Sequence, residues 1–209
     1  MSPPDSIVHV VDDDDSVRTG IVRLLEAAGY EALAYRSAGE FLLERAERDA
    51  PGCIVLDVRM PGPNGLELQE ALARLEVRLP IVFLTGHGDI PMSVRAMKAG
   101  AVDFLTKPVG RETLLGAVRA ALARDTAARA VRARLSELRA RYESLTPRER
   151  EVFAGVVAGK LNKQIAFELG TAERTIKAHR AQVMGKMQVA SVAELVHIAD
   201  QLGAESTRS

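Results

Sequence analysis

The 209-residue chain has no tryptophan, a single cysteine and few aromatic residues, 4% in all. One thiol, Cys53, excludes an internal disulfide and fits a reducing compartment. Lying in an apolar run, it reads most simply as a buried strand residue. The scarcity of aromatics counts against a first half built around an aromatic-lined ligand pocket. No segment approaches the roughly 20 apolar residues that span a bilayer. The start, Met1-Ser2-Pro3-Pro4, shows neither the basic residues nor the apolar run of a secretory leader. A cytoplasmic location with no membrane partner is therefore expected. Net charge is lacking too, since 28 basic residues balance 28 acidic ones. The balance hides an asymmetry. Residues 1–124 hold 14 basic and 18 acidic side chains, and residues 125–209 hold 14 and 10. An acidic half followed by a basic half makes the second half the candidate for meeting a polyanion.

What is present is regular. Five apolar runs, Ile7–Val11, Ala32–Tyr35, Cys53–Leu56, Ile81–Leu84 and Val102–Leu105, have strand length and the Val, Ile and Leu content of strands covered on both faces. Amphipathic stretches separate them. Val17, Ile21, Leu24, Leu25 and Ala28 recur at helical spacing, and Gly29 stops that helix. Phe41 and Leu42, then Leu66, Leu68, Leu72 and Leu75, then Val94 and Met97 mark three more, and a fifth helix runs from about Arg111 to Ala123. Strands alternating with helices predict an α/β domain over residues 1–125, a five-stranded, doubly wound parallel sheet.

Residues 126–142 are rich in Ala and Arg and hold no Gly or Pro. Val131, Leu135, Leu138, Tyr142 and Leu145 follow a 4-3-4-3 spacing, which predicts a helical linker that docks on a domain or pairs with a second copy. The seam is shorter than the three or more heptads of a stable coiled coil, which favours docking. Residues 143–209 read as a small all-α domain. Thr146-Pro147-Arg148-Glu149 is a capping box with Pro at the first helical position. Val152, Phe153, Val156 and Val157 form that helix's apolar face, and Gly159 ends it. Asn162 is the expected cap of a second helix, Thr171 of a third and Ser191 of a fourth.

Polar groups at the ends of four strands attract attention. Asp12-Asp13-Asp14-Asp15 follow the first strand, Asp57 ends the third, Thr85 ends the fourth, and Lys107-Pro108 follow the fifth. Scattered in sequence, these share one address, the carboxyl edge of a parallel sheet, where ligands bind in open α/β folds. Carboxylates gathered there repel one another, and a hard cation such as Mg²⁺ relieves the repulsion. A carboxylate beside it can attack a phosphoryl donor and form an acyl phosphate. Each residue also has a plainer reading. Asp14 and Asp15 serve as capping or surface residues. Thr85, Lys107 and Phe104, taken alone, would be structural. His87, in Gly86-His87-Gly88-Asp89, is a loop histidine with no evident partners for a metal.

VVDD, LDVRMPGPNG, VFLTGHGD and AVDFLTKP resemble the successive motifs of the receiver domain of two-component signalling, in order and over about residues 6–125. The resemblance implies a flavodoxin-like receiver. It makes Asp57 the phosphoacceptor and Asp12 and Asp13 the Mg²⁺ ligands, with the main-chain carbonyl of Arg59 as a further ligand. It makes Thr85 and Phe104 the switch pair and Lys107 the phosphate-binding lysine, before a Lys107–Pro108 bond that is commonly cis in receivers. A phosphatase of the haloacid-dehalogenase type would use Asp12 and Asp14 in a D-x-D pattern, but gives no role to Asp57 or to the basic tail.

In the tail, about Ala172–Met187 is the candidate groove-reading helix of a helix-turn-helix. Ile176, Val183 and Met187 share one face, and Arg174, Lys177, Ala178, Ala181 and Gln182 the opposite one. Arg and Lys suit guanine edges, Gln suits adenine, and Ala suits a thymine methyl. Arg180 and Lys186 flank this arc, and Lys160 and Lys163 precede it, all placed for phosphates. LTPREREVFAGVVAGKLNKQIAFELGTAERTIKAHRAQVMGKMQVASVAELVHIA is similar to the LuxR/NarL-type output domain, and HRAQVMGKM to its FixJ-like branch. His179 fits that pattern as a structural residue. Some relatives carry lysine where this chain has Ala181, which leaves the base-reading set open at that position.

Together these resemblances imply a response regulator rather than an enzyme. The implied partners are a sensor histidine kinase, double-stranded promoter DNA and, on phosphorylation, a second copy of the chain, with RNA polymerase as a further candidate. A protein-interaction module that binds no DNA is the alternative, its basic tail docking an acidic partner. A ligand-sensing LuxR-type regulator fits poorly with so few aromatics in residues 1–125.

Overall fold

A computed structural model of the chain describes residues 6–45, 50–86 and 90–206. His87 lies outside the described residues. The chain divides into two compact units, the first ending at Arg129 and the second beginning at Ala130. No helix among the described residues is long and apolar enough to cross a membrane.

In the first unit, β1 (Ile7–Val11), β2 (Glu31–Tyr35), β3 (Gly52–Asp57), β4 (Ile81–Thr85) and β5 (Asp103–Thr106) form one parallel sheet in the order β2-β1-β3-β4-β5. Helices α1 (Asp15–Ala27), α2 (Ala38–Glu44), α3 (Gly65–Arg74), α4 (Ile90–Lys98) and α5 (Arg111–Glu143) connect or follow the strands. Two cores result, one on each face. Val8, Val10, Val55, Val82 and Leu84 pack with Leu25 of α1 and with Leu114, Val118 and Leu122 of α5. Val11, Ile54, Leu56 and Phe83 pack with Phe41 of α2, Leu68 and Leu72 of α3 and Ala96 of α4.

Cover on both faces, expected of all five strands, holds for β1, β3 and β4, every residue of which is buried. β2 and β5 are the sheet edges and are only partly covered. Helix α4 also departs from expectation. Val94 and Met97, which mark it in the sequence, are 43% and 45% exposed, and Ile90 is 80% exposed. Apolar spacing identified the helix but not the side that is covered. Ala96 is the buried contact instead.

Helix α5 is longer than expected. The helix expected to end near Ala123 runs on through the expected helical linker, giving one helix of 33 residues. Between Gly116 and Pro147 the sequence has no Gly or Pro to interrupt the backbone ladder. The seam residues of this stretch divide. Val131 is exposed, while Leu138 and Leu145 are buried in the second unit and Tyr142 packs against the same core.

The second unit adds α6 (Pro147–Val157), α7 (Asn162–Glu168), α8 (Glu173–Met187) and α9 (Val192–Ser206). Leu138, Val152, Phe153, Val156, Ile165, Ile176, Val183, Met187 and Leu195 close its core. The Thr146 capping box forms as expected, with Glu149 accepting the Thr146 N–H at 2.8 Å. Gly159, at φ +76°, then turns the chain out of α6 where a side chain would be strained. Two expected caps are corrected. Asn162 is the first residue of α7 rather than its cap, because its Oδ1 accepts Arg180 Nη1 at 3.0 Å, and Gln164 accepts the Leu161 N–H instead. Ala172, not Thr171, precedes α8, and no side chain caps that helix.

Glu149 also accepts Lys186 Nζ at 2.6 Å and is buried. The Lys186 ammonium and the Thr146 N–H hold its carboxyl below the usual carboxylate value. A depressed folded value stabilises the unit above the ordinary value of 4.5, and that contribution is lost as pH falls through the folded value. Amide-exchange protection of α6 should therefore weaken as pH falls below the ordinary value of 4.5 and through the depressed folded value, and Glu149→Gln should remove that part of the pH dependence. An unchanged acid profile in the variant would deny Glu149 this role.

Candidate functional sites

The sheet register explains why distant acids meet. Val11 pairs with Leu56 of β3, so Asp12 and Asp57 emerge side by side at the carboxyl edge. β1 and β3 are also where the strand order reverses, the position of ligand sites in such sheets. Oxygens of Asp12, Asp13 and Asp57 all lie within 4.8 Å of one another. Asp12 and Asp57 are buried and Asp13 is exposed. Lys107 reaches in from the end of β5, its Nζ 2.6 Å from Asp12 Oδ2 and 3.2 Å from Asp57 Oδ1. The Lys107–Pro108 peptide that follows is cis.

Electrostatics follow from this crowding. Burial pushes the Asp57 carboxyl above its ordinary value, the Asp12 charge adds to this, and Lys107 works against it. Burial would lower the Lys107 ammonium, but its bonds and charge interactions with Asp12 and Asp57 outweigh that and raise it. An all-oxygen set of three carboxylates beside a single ammonium suits a hard divalent cation such as Mg²⁺.

The other expected residues take these places. Asp14 caps α1, accepting the N–H groups of Ser16 and Val17, which lowers its carboxyl. Asp15 is an exposed partner of Arg18. Thr85 is fully buried at the end of β4, and its carbonyl accepts the Lys107 N–H at 2.7 Å. Phe104 is half-buried against Phe83, ring centroids 5.9 Å apart. Arg59 stands two residues past Asp57 with its side chain exposed. Cys53 is buried, and desolvation pushes its thiol up to about 12.

Two residues of this site were not singled out in the sequence. A Cβ at Gly65 would lie 2.4 Å from the Asp57 carbonyl oxygen, so only glycine lets the loop after β3 fold back over Asp57. The Asn64-Gly65 pair after a strand was the available signal. Arg18 carried no motif signal, yet its Nη1 donates to the Asp12 carbonyl at 2.7 Å.

In the second unit, α8 sorts as a helical wheel predicts. Ile176, Val183 and Met187 are fully buried, and Arg174, Lys177, Ala178, Ala181 and Gln182 are all exposed. Of the flanking cations, Arg180 is held by Asn162, and Lys186 is engaged by Glu149 and the Ser144 carbonyl. Lys160 pairs with Glu168 at 2.6 Å, and Lys163 is exposed.

Comparison with known proteins agrees with both units. The family described as response regulator receiver domain matches residues 8–119, and bacterial regulatory proteins, luxR family, matches residues 143–199. Nodulation protein W of Bradyrhizobium diazoefficiens is 48% identical over 198 residues, covering 95% of this chain and 87% of that protein. Transcriptional regulatory protein FixJ of Azorhizobium caulinodans is 45% identical over 197 residues, covering 94% and 93%. The solved structure of the response regulator StyR is 47% identical and superposes with a TM-score of 0.86, covering 94% of this chain and 99% of that one. The chain belongs to the response regulators that join a receiver to a LuxR-type DNA-binding output domain, alongside FixJ.

Proposed function

We propose that the chain takes a phosphoryl group from a sensor histidine kinase onto Asp57 and thereby controls its own dimerisation and its binding to promoter DNA. The observation that carries this reading is the meeting of Asp12, Asp13, Asp57 and Lys107 at one sheet edge. An Asp57 oxygen attacks phosphorus as the bond to the kinase's imidazole nitrogen breaks, leaving an acyl phosphate. Asp12, Asp13, Asp57 and the Arg59 carbonyl are the residues that would hold Mg²⁺, which when bound neutralises charge on the transferring oxygens. Lys107 supplies a fixed ammonium to the same oxygens, and the Thr85 hydroxyl bonds one of them.

As Thr85 shifts toward the phosphoryl group, Phe104 follows inward, and the face of α4 and β5 changes shape. The exposed Ile90, Val94 and Met97 make that face suited to pairing with a second receiver. Pairing raises the effective concentration of two weak DNA-binding heads without new contacts. Arg174, Lys177, Ala178, Ala181 and Gln182 then read base edges. Arg180 and Lys163 meet phosphates. Lys186, tied to Glu149, serves the unit's own structure. In this reading the chain is a cytoplasmic regulator that turns over no substrate, and RNA polymerase is a partner at the promoter.

Capture of genomic fragments with and without acetyl phosphate tests the reading. A limited set of promoter fragments should be enriched in the phosphorylated sample. Equal capture in both samples would break the link between the two units. Capture of no fragments would favour a protein-interaction role.

A further inference from the structure

We propose that Arg18 is a positioning residue for the divalent cation, acting through the main-chain carbonyl of Asp12; the inference rests on the phosphotransfer reading above. Arg18 lies in the first turn of α1, and its side chain is only 14% exposed. Its Nη1 donates to the Asp12 carbonyl at 2.7 Å, and its Nη2 pairs with Asp15. An ion pair on a helix surface contributes little and needs neither burial nor a main-chain acceptor. The largely covered guanidinium and its carbonyl partner therefore call for a different account.

The account lies in how completely Asp12 is fixed. Its N–H donates to the Tyr35 carbonyl at 3.1 Å. Its Oδ1 accepts the Asp14 N–H at 3.0 Å, and its Oδ2 accepts Lys107 at 2.6 Å. Arg18 holds the one remaining polar group, the carbonyl. That carbonyl shares a peptide plane with the Asp13 nitrogen, so gripping it sets the direction in which Asp13 leaves the strand. Asp13 is the exposed member of the three acids, the one that packing constrains least. Because Arg18 itself belongs to α1, its planar guanidinium on the Asp12 carbonyl ties this loop to the rigid start of the helix without help from Asp15.

The sign of the effect separates positioning from charge. A cation fixed near a cation site opposes binding. Were Arg18 only a charge, removing it would tighten Mg²⁺; as a positioning group, its removal loosens Mg²⁺. Calorimetric titration of the full chain with Mg²⁺, with no phosphodonor present, reads this directly. Arg18→Met keeps the length of the side chain and should raise the Kd about tenfold, the scale of lost support around metal ligands. Arg18→Lys, which retains one donor, should fall between Arg18→Met and the parent chain. Asp15→Asn leaves the carbonyl contact in place and should bind Mg²⁺ as the parent does. An Arg18→Met Kd equal to or below the parent's overturns the proposal. Should Arg18→Met fail to fold, parent-like binding by Arg18→Lys overturns it equally. A parent chain that takes up no Mg²⁺ overturns the phosphotransfer reading beneath it instead.

Discussion

Asp57→Asn leaves the chain unable to take up acid-labile phosphate from acetyl phosphate or from a kinase. The acyl phosphate requires a carboxylate oxygen that is both nucleophilic and beside Lys107. Asparagine keeps the shape and loses the charge. Rate enhancement from covalent chemistry vanishes with its nucleophile, so labelling should fall to the background of the phosphodonor alone. The pH behaviour supplies a control. Because burial raises the folded value of Asp57, the group favours the folded state most at low pH, where it is protonated. That contribution is lost as pH rises through the folded value. At neutral pH, without added Mg²⁺, asparagine therefore removes a destabilising charge, and the variant should melt no lower than the parent. Lost labelling then reports chemistry rather than misfolding. Labelling at parental yield would move the acceptor to another residue.

Lys177→Ala should weaken binding to a captured promoter about tenfold to a hundredfold, the ~1–3 kcal/mol of one good base contact. Binding to random DNA should fall far less. Lys177 is exposed on the arc of α8 that also carries Arg174, Ala178, Ala181 and Gln182, while Ile176 and Val183 are buried in the core. That placement anchors the expectation that it reaches a base edge. A phosphate contact would behave differently. Losses on specific and random DNA would match, and the dependence of affinity on salt would flatten by about one unit of slope. Competition gel shifts at several salt concentrations distinguish the two.

How far the sequence disclosed all this depends on which force fixed each feature. β1, β3 and β4 are short apolar runs because nothing polar survives between two helical layers, and such runs are visible without a structure. The edge strands β2 and β5 carry a mixed pattern and are only partly covered. Asp57 and Lys107 are 50 positions apart, and the motifs around them suggested their meeting before the sheet order and register placed it. Arg18 was invisible for the same physical reason that makes it interesting. Its acceptor is a main-chain carbonyl, which leaves no mark in the residue pattern. Caps divided along similar lines. Thr146 and Glu149 act within one turn and are legible. Asn162 is claimed by Arg180 from another helix, a competition that local spacing does not reveal. Lys186 reads in the sequence as a flanking phosphate contact, and its bond to Glu149, 37 residues earlier, is likewise beyond local spacing.

The sealed position of Cys53 has a practical side. With its thiol fully covered and pushed up to about 12, the protein's one sulfhydryl is inert to alkylating dyes at neutral pH while the sheet stays closed. With no tryptophan in the chain either, the folded molecule is a blank canvas. A cysteine or indole introduced on the surface would be the sole responsive group, and any labelling of Cys53 itself would announce that the sheet had opened.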